Sequence, residues 1–322
     1  MAVLSPIPKL NTSYTNQIFS DPAGSVSGVS VSAGALPPGL SVTSTATTVT
    51  ISGTPTAAGS YSFTVSFTDF GFPYSYSYTA QVVNPPLPAS GSIKFSEVRT
   101  ITARSGAISM SDVRFKVLAN NSTATAPVKM SSVRGKPTPG SLNLTTAQSQ
   151  AFTAPAYQAL IFKIGGAGGG GAGGGAWGYV GIFPNTTCVA PFSSGTAGQT
   201  GNQSSAFSYI AYGGNGGSTC ANTSGNCGNG ANGGNNQDAN TGGGSAGGGG
   251  VQGYNSIAGC NNNGGAGGYG GYLEALQAIS SGVIEYGAAT TLTVGAGGTP
   301  GANNQGSAAS KGTDGSVYIE WA

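Results

Sequence analysis

Gly165-Gly166-Ala167-Gly168-Gly169-Gly170-Gly171 is the stretch of sequence that decides the fold. It opens residues 165–322, which hold 47 of the chain's 58 glycines and include a second run, Gly247–Gly250. Glycine has no side chain to bury and loses the most backbone entropy on folding, so this region cannot enclose an ordinary apolar core. It is either disordered or ordered by close packing of backbones, with hydrogen bonds between extended segments replacing side-chain burial.

The segments around the glycine runs favour order. Residues 152–164 predict a strand that runs into glycine, and residues 291–294 and 316–321 alternate apolar and polar side chains as half-buried strands do. Glycine-rich chains can form left-handed helices of three residues per turn that pack closely without a Cβ, whereas strict collagen would need a Gly-X-Y period that is missing here. We therefore predict a domain of polyglycine II-like packing framed by β-strands. Residues 275–279 are expected to form a short helix.

Composition limits the classes of function. Only 6% of the 322 residues are charged, the net charge is +2 and histidine is absent. The charge balance favours neither nucleic acid nor an anionic membrane as a partner, and no apolar run is long enough to span a bilayer. No secretory signal is evident at Met1, so we expect a surface-type protein released by cell lysis, as a virion component is.

Residues 1–86 are predicted to form an Ig-like β-sandwich. Short alternating runs bounded by Gly or Pro recur along this segment, among them Thr48–Ser52, Gly59–Asp69 and Tyr74–Val83. The string Leu-Pro-Pro-Gly-Leu at 36–40, followed by Ile-Ser-Gly-Thr-Pro at 51–55, resembles an Ig-like family of bacterial and phage surface proteins. The resemblance covers about residues 15–84 and implies a spacer or attachment module without chemistry of its own.

Residues 87–140 are predicted to be a basic connector that carries three related repeats. Each repeat has an apolar residue, a large apolar residue two positions later, then Ser, Val and Arg, and this order suggests a Ser-capped turn. The arginines are Arg99, Arg114 and Arg134. They are expected to pair with an acid or with a backbone carbonyl. For the segment as a whole the functional interpretation is a docking strip for another virion protein, and the alternative is a solvated connector. The repeats resemble segments in tail-fibre and baseplate-associated proteins of tailed phages.

Residues 141–322 resemble the glycine-rich terminal domain of phage tail-fibre proteins and adhesins. The resemblance rests on the Phe-Thr-Ala-Pro lead strand, the apolar strand into glycine, and the closing Gly-Ser-Val-Tyr-Ile-Glu-Trp. It implies that loops projecting from the glycine scaffold bind a host surface glycan or outer-membrane protein. The least regular insertions supply the candidates, since aromatic rings and amides suit such contacts: Trp177, Tyr179, Phe183, Phe192, Asn222, Asn226, Tyr254 and Asn261.

The four cysteines all lie in the glycine-rich region. They are Cys188, Cys220, Cys227 and Cys260. Their wide spacing and the absence of histidine argue against a zinc site, so no metal or cofactor is predicted. We expect one or two disulfides that pin long loops, in a pairing that the sequence does not choose.

Enzymatic activity is not predicted. Without histidine the chain has no Ser-His or Cys-His nucleophile system, and its nine acidic residues are scattered. The expectation is a structural virion protein of a phage tail fibre or tail tip. It is expected to form a homo-oligomer and to bind other virion proteins and a host receptor. The alternatives are a capsid-decorating or head-fibre protein, or a polysaccharide-degrading tail spike.

Overall fold

The computed structural model describes most of the chain. The described residues are 2–102, 113–119, 129–172, 176–180, 187–193, 196–218, 266–279, 284, 288–301 and 309–322, with backbone pairing alone for 176–180 and 187–193. The described part is mainly β with an Ig-like sandwich at its N-terminus, as the sequence predicted.

The N-terminal module is a sandwich of two antiparallel sheets with one parallel edge pairing. Its strands are β1 (Ala2–Val3), β2 (Tyr14–Ser20), β3 (Ser27–Gly34), β4 (Leu40–Ser44), β5 (Thr48–Gly53), β6 (Gly59–Asp69) and β7 (Phe72–Val82). One sheet has the order β1-β7-β6-β3 and the other β2-β5-β4. Alternation in β5 and β6 turns Val49, Ile51, Phe63 and Val65 into the shared core, where all four side chains are buried.

Where the structure describes the connector, its regular elements are helical. It contains α1 (Phe95–Ile101), α2 (Val113–Leu118) and a 3₁₀ helix, Met130–Val133. The expected Ser-capped turn is wrong for the first repeat: the N-cap of α1 is Lys94, and Ser96 lies inside the helix. Of the two apolar residues that open this repeat, Ile93 packs against the core, whereas Phe95 is 44% exposed; Val98 of the same repeat is fully buried. Helical periodicity, instead of strand periodicity, turns the valine of the repeat inward.

The third segment begins as a second β-sandwich. Its strands are β8 (Gly140–Leu144), β9 (Gln148–Thr153), β10 (Ala159–Gly165), β13 (Ser204–Ala206), β14 (Tyr209–Ala211), β15 (Tyr272–Ala278), β16 (Ala289–Val294) and β17 (Ser316–Trp321), with β11 (Ala176–Val180) and β12 (Thr187–Ser193) as a separate hairpin. The two sheets have the orders β15-β10-β17-β8 and β14-β13-β16-β9. The short helix expected at residues 275–279 is wrong, because residues 275–278 belong to β15 in antiparallel pairing with β10.

Six glycine-rich segments extend the strands of this sandwich. We call them PG1 (166–172), PG2 (196–203), PG3 (212–218), PG4 (266–271), PG5 (295–301) and PG6 (309–315). Successive N–H groups of PG1 donate to three different neighbours in turn and return to the same neighbour every third residue, at 2.8–3.1 Å: Gly166 and Gly169 to PG4, Ala167 and Gly170 to PG2, and Gly168 and Gly171 to PG6. A period of three is that of the polyglycine II helix. The predicted backbone packing is therefore confirmed in these segments.

PG1 is the centre of the resulting lattice. Its carbonyls accept from Gly214 and Gly217 of PG3 and from Gly298 and Gly301 of PG5, so five segments surround it. A Cβ built on Gly169 would lie 2.0 Å from the carbonyl oxygen of Asn215, so the segments can approach this closely only where the residue is glycine. This close approach is the physical reason for the composition of the region.

The lattice segments alternate in direction. PG3 and PG5 bond to PG1 in parallel register, while PG2, PG4 and PG6 bond to it in antiparallel register. At one end every segment joins a strand of the sandwich: β10, β13, β14, β15, β16 and β17. At the other end, which we call the loop end, PG1, PG3 and PG5 finish and PG2, PG4 and PG6 begin. The connections at the loop end comprise residues 173–195, 219–265 and 302–308.

The Ig-like module packs on the outer face of the second sandwich. Val3, Ile7 and Val83 of the module form an apolar cluster with Ala159 and Ile161 of β10. Beside it, Gln158 donates to the carbonyl of Asn84 at 2.8 Å and accepts from the Asn84 N–H at 3.1 Å. Buried apolar contact with paired polar groups at its edge fixes the module against the sandwich.

Candidate functional site

The predicted receptor-binding residues all fall within residues 173–195 and 219–265 of the sequence, which connect lattice segments at the loop end. The three parallel segments PG1, PG3 and PG5 all finish there, because PG3 and PG5 each bond to PG1 in parallel register. Trp177, Tyr179 and Phe192 belong to the connection after PG1. Eight predicted site residues lie outside the described residues: Phe183, Cys220, Asn222, Asn226, Cys227, Tyr254, Cys260 and Asn261.

The hairpin after PG1 carries the predicted residues whose backbone is described. Strands β11 and β12 are antiparallel, with Trp177 opposite Pro191 and Tyr179 opposite Cys188, and with register shifts on both sides of Trp177. Phe192 also lies in β12. The structure therefore places Trp177, Tyr179 and Phe192 in one two-stranded element. Cys227 and Cys260 lie outside the described residues, and the disulfides stay a prediction.

The arginines of the connector take part in local structure. Arg114 donates from Nη1 to the carbonyl of Thr102 at 3.2 Å, and Nη1 of Arg134 donates to the carbonyl of Gly91. Both contacts are the carbonyl pairing that the sequence left open as one of two interpretations. Arg99 is exposed on α1. Docking through these arginines stays a prediction.

Exposed aromatic residues at the tip of the Ig-like module were not singled out from the sequence. Phe70 and Phe72 are 58% and 68% exposed at the turn between β6 and β7. Next to them the rings of Tyr74 and Tyr76 are almost parallel, with an angle of 15° and centroids 6.3 Å apart. Alternation along residues 74–78 predicts that Tyr74, Tyr76 and Tyr78 lie on one face of the strand. It does not predict that the first two lie past the edge of the core and are exposed. An exposed aromatic patch of this kind is a candidate interaction surface.

One carboxylate joins the lattice to the sandwich. Asp314 of PG6 accepts from the N–H of Gly297 at 2.9 Å, from Nζ of Lys311 at 2.9 Å and from the N–H of Ala147 at 3.0 Å. The hydrogen bond from Gly297 is the largest cause that lowers the pKa of Asp314, from 3.8 to about 2, followed by that from Lys311. The group is therefore ionised and structural at neutral pH.

The described part of the chain has neither a metal-binding cluster nor a membrane-spanning helix. No group of three or more His, Cys, Asp or Glu side chains there is arranged to hold a metal ion. Nor does any helix in those residues have the length and apolar character needed to cross a membrane.

Comparison with known proteins characterises the N-terminal module. Residues 3–84 match the family model described as Putative Ig domain, and no curated protein matches the chain. Two solved structures of the endo-fucoidan hydrolase MfFcnA4 from glycoside hydrolase family 107, one of them a variant, are similar at 20% identity and a TM-score of 0.22. Each match covers 26% of this chain and 13% of the hydrolase. A similarity this limited carries no argument about activity, so the comparisons identify residues 3–84 as an Ig-like domain.

Proposed function

We propose that this chain is a structural protein of a phage virion, located in the tail fibre or tail tip, whose loop end binds a receptor on the host surface. The observation that carries the proposal is the common direction of PG1, PG3 and PG5. It gathers the long, aromatic- and asparagine-containing connections at the one end of the lattice that is remote from the β-sandwich. Binding residues held on loops above a rigid scaffold are a general arrangement for recognition.

The opposite part of the molecule supplies an attachment surface. The Ig-like module is fixed to the outer face of the sandwich through Val3, Ile7 and Val83, near the C-terminal end of β7. The turn with Phe70 and Phe72 lies at the other end of that strand, away from this contact. Its aromatic patch suits another virion protein, because large apolar side chains that stay exposed on one subunit are commonly covered in an assembly.

The function is proposed to be binding without catalysis. The acidic residues with described partners on β15 and β17 are engaged in structure: Glu274 accepts from the Val3 N–H and from the Tyr272 hydroxyl, and Glu320 accepts from the Ile7 N–H. Carboxylates held in this way fix the Ig-like module and support no acid–base pair.

The test is a cell-binding experiment with the full chain. The labelled protein is applied to a panel of bacterial strains and assayed for blocking of phage adsorption. We expect binding to a subset of strains, loss of that binding in the double variant Trp177→Ala/Tyr179→Ala, and retention in the control variant Thr64→Ala on the Ig-like module. Binding to no strain, with immunogold labelling on phage heads, would assign the protein to the capsid. Release of reducing ends from cell polysaccharide would make it a spike enzyme.

A further inference from the structure

The lattice has an exposed lateral face that differs from its loop end. In a helix of three residues per turn, every third residue lies in the same row. A Cβ on Gly213 or Gly216 of PG3 would lie 1.8 Å from a carbonyl oxygen of PG2, and one on Gly214 would lie 2.1 Å from a carbonyl oxygen of PG4. Two rows of PG3 therefore face neighbours. The third row, with Tyr212 and Asn215, faces away from the lattice and is exposed.

PG2 contributes a matching row to the same face. The Gly198 and Gly201 row of PG2 faces PG1, since a Cβ there would meet carbonyl oxygens of PG1 at 1.9 and 2.4 Å. The N–H groups of Gln199 and Asn202 donate to PG5, each at 2.9 Å, on the side away from PG3. The remaining row lies on the PG3 side, and its residues Thr200 and Gln203 are both exposed.

The hydrogen bonds between PG2 and PG3 align these two rows. Gly201 donates to the carbonyl of Gly214 at 2.9 Å, and Gly198 donates to that of Gly217 at 3.0 Å, in antiparallel register. This register sets Gln203 beside Tyr212 and Thr200 beside Asn215, with successive pairs about 9 Å apart at ~3.1 Å per residue. We call these four residues the PG2–PG3 face. It is flat because its backbone is bonded on both sides.

The chemistry of the PG2–PG3 face matches one class of ligand. Its four side chains are an aromatic ring that is 45% exposed, two amides and a hydroxyl, and none is charged. A tyrosine ring offers an apolar surface to the carbon–hydrogen face of a sugar, while amides both donate to and accept from hydroxyl groups. A charged ligand would find no countercharge here. The rigid backbone also reduces the ordering cost of binding.

We infer that the PG2–PG3 face, Thr200, Gln203, Tyr212 and Asn215, binds an uncharged polysaccharide. This site is separate from the loop end and goes beyond the proposed function, since it would hold the protein against neutral glycan whatever receptor the loops bind. A failure of polysaccharide binding is distinguishable from a failure of receptor binding, because the former is tested on purified polysaccharide and the latter on cells.

The experiment is native affinity electrophoresis of the full chain in gels that contain dextran, a galactomannan or a xylan. We expect at least one of the three to retard the protein, and the retardation to persist at high salt because no ion pair is involved. Tyr212→Ala and Asn215→Ala should each weaken the apparent affinity, the former about tenfold, as loss of one aromatic contact implies. Thermal unfolding of both variants should match that of the unmodified chain.

Tyr269→Ala is the matched control. Tyr269 lies on PG4, outside the PG2–PG3 face, and is 59% exposed against 45% for Tyr212, so its loss removes at least as much exposed aromatic surface. The inference is overturned if none of the three polysaccharides retards the chain, if Tyr269→Ala weakens retardation as much as Tyr212→Ala, or if salt abolishes the effect. Self-association that Tyr212→Ala removes, without retardation in any gel, would assign the face to a second copy of the chain and overturn the inference as well.

Discussion

Glu320 and Ile7 are joined by a hydrogen bond across 313 positions of the chain: the N–H of Ile7 donates to Oε1 of Glu320 at 2.8 Å. The other oxygen of the same carboxylate accepts from Oγ of Ser5 at 2.8 Å and from the hydroxyl of Tyr318 at 3.1 Å. One side chain of the last strand therefore holds two residues of the N-terminal module. The contact ties the Ig-like module to the second sandwich.

Replacing Glu320 tests how much this contact stabilises the folded protein. Glu320→Ala leaves three donors without their acceptor, and we expect the free energy of unfolding to fall by about 2 kcal/mol. Chemical denaturation measures the change. Tyr318→Phe, which removes one donor and keeps the carboxylate, should cost less than half as much. Equal stability of Glu320→Ala and the unmodified chain would show that the apolar cluster alone fixes the module.

A single methyl group in the lattice provides the second test. Gly216→Ala would place a Cβ 1.8 Å from the carbonyl oxygen of Gly198, so the two segments must separate. We expect a loss of about 3 kcal/mol or failure to fold, which is the upper range for overpacking. Asn215→Ala is the control, because the adjacent residue faces solvent and should change stability by less than about 0.5 kcal/mol. Similar midpoints of thermal unfolding for both variants would contradict the lattice.

The depressed pKa of Asp314 predicts that the stability of the fold depends on pH. Its pKa is depressed in the folded protein, from 3.8 to about 2, so its stabilising contribution is present above pH 4 and is lost as the pH falls through about 2. Asp314→Asn should lower stability by about 1 kcal/mol at pH 7, a value reduced for partial solvent screening. The difference between the two proteins should disappear near pH 2. Denaturation curves over this range measure it, and a constant difference would refute the assignment.

The repeat valines are predicted to be core residues. Val98 and Val133 are fully buried in the cluster that joins the connector to the second sandwich. Val98→Ala or Val133→Ala should therefore each cost about 1–3 kcal/mol in the free energy of unfolding. Phe95→Ala, at the exposed position of the first repeat, should be nearly neutral. A larger loss from Phe95 than from Val98 would reverse the assignment of the inward side chain.

The sequence was informative where one periodicity dominated. Alternation in residues 59–69 and 316–321 predicted strands that the structure contains, and glycine content predicted backbone packing. Prediction from the sequence failed where helical and strand periodicity both fit the same residues. Residues 275–279 have helix-forming composition, but pairing with β10 makes residues 275–278 a strand. The helical repeats of the connector also resemble alternating strands over seven residues, and the tertiary core decides between the two.

The lateral face could not be predicted from the sequence. Tyr212 and Gln203 are nine positions apart, and only the register between PG2 and PG3 sets them side by side. Irregular insertions can be recognised in the sequence itself. Which rows of neighbouring glycine helices lie side by side cannot, because that depends on which segments the fold makes neighbours.

The reversal of direction from one lattice segment to the next has an evolutionary consequence. Each connection at the loop end leaves and re-enters the lattice at the same level, so its length and composition can change without moving any hydrogen bond between the segments. If the loop end binds a receptor as proposed, its specificity can change while the lattice stays the same. Exchanging residues 219–265 between related chains would then replace one loop-end connection and leave the lattice beneath it unchanged.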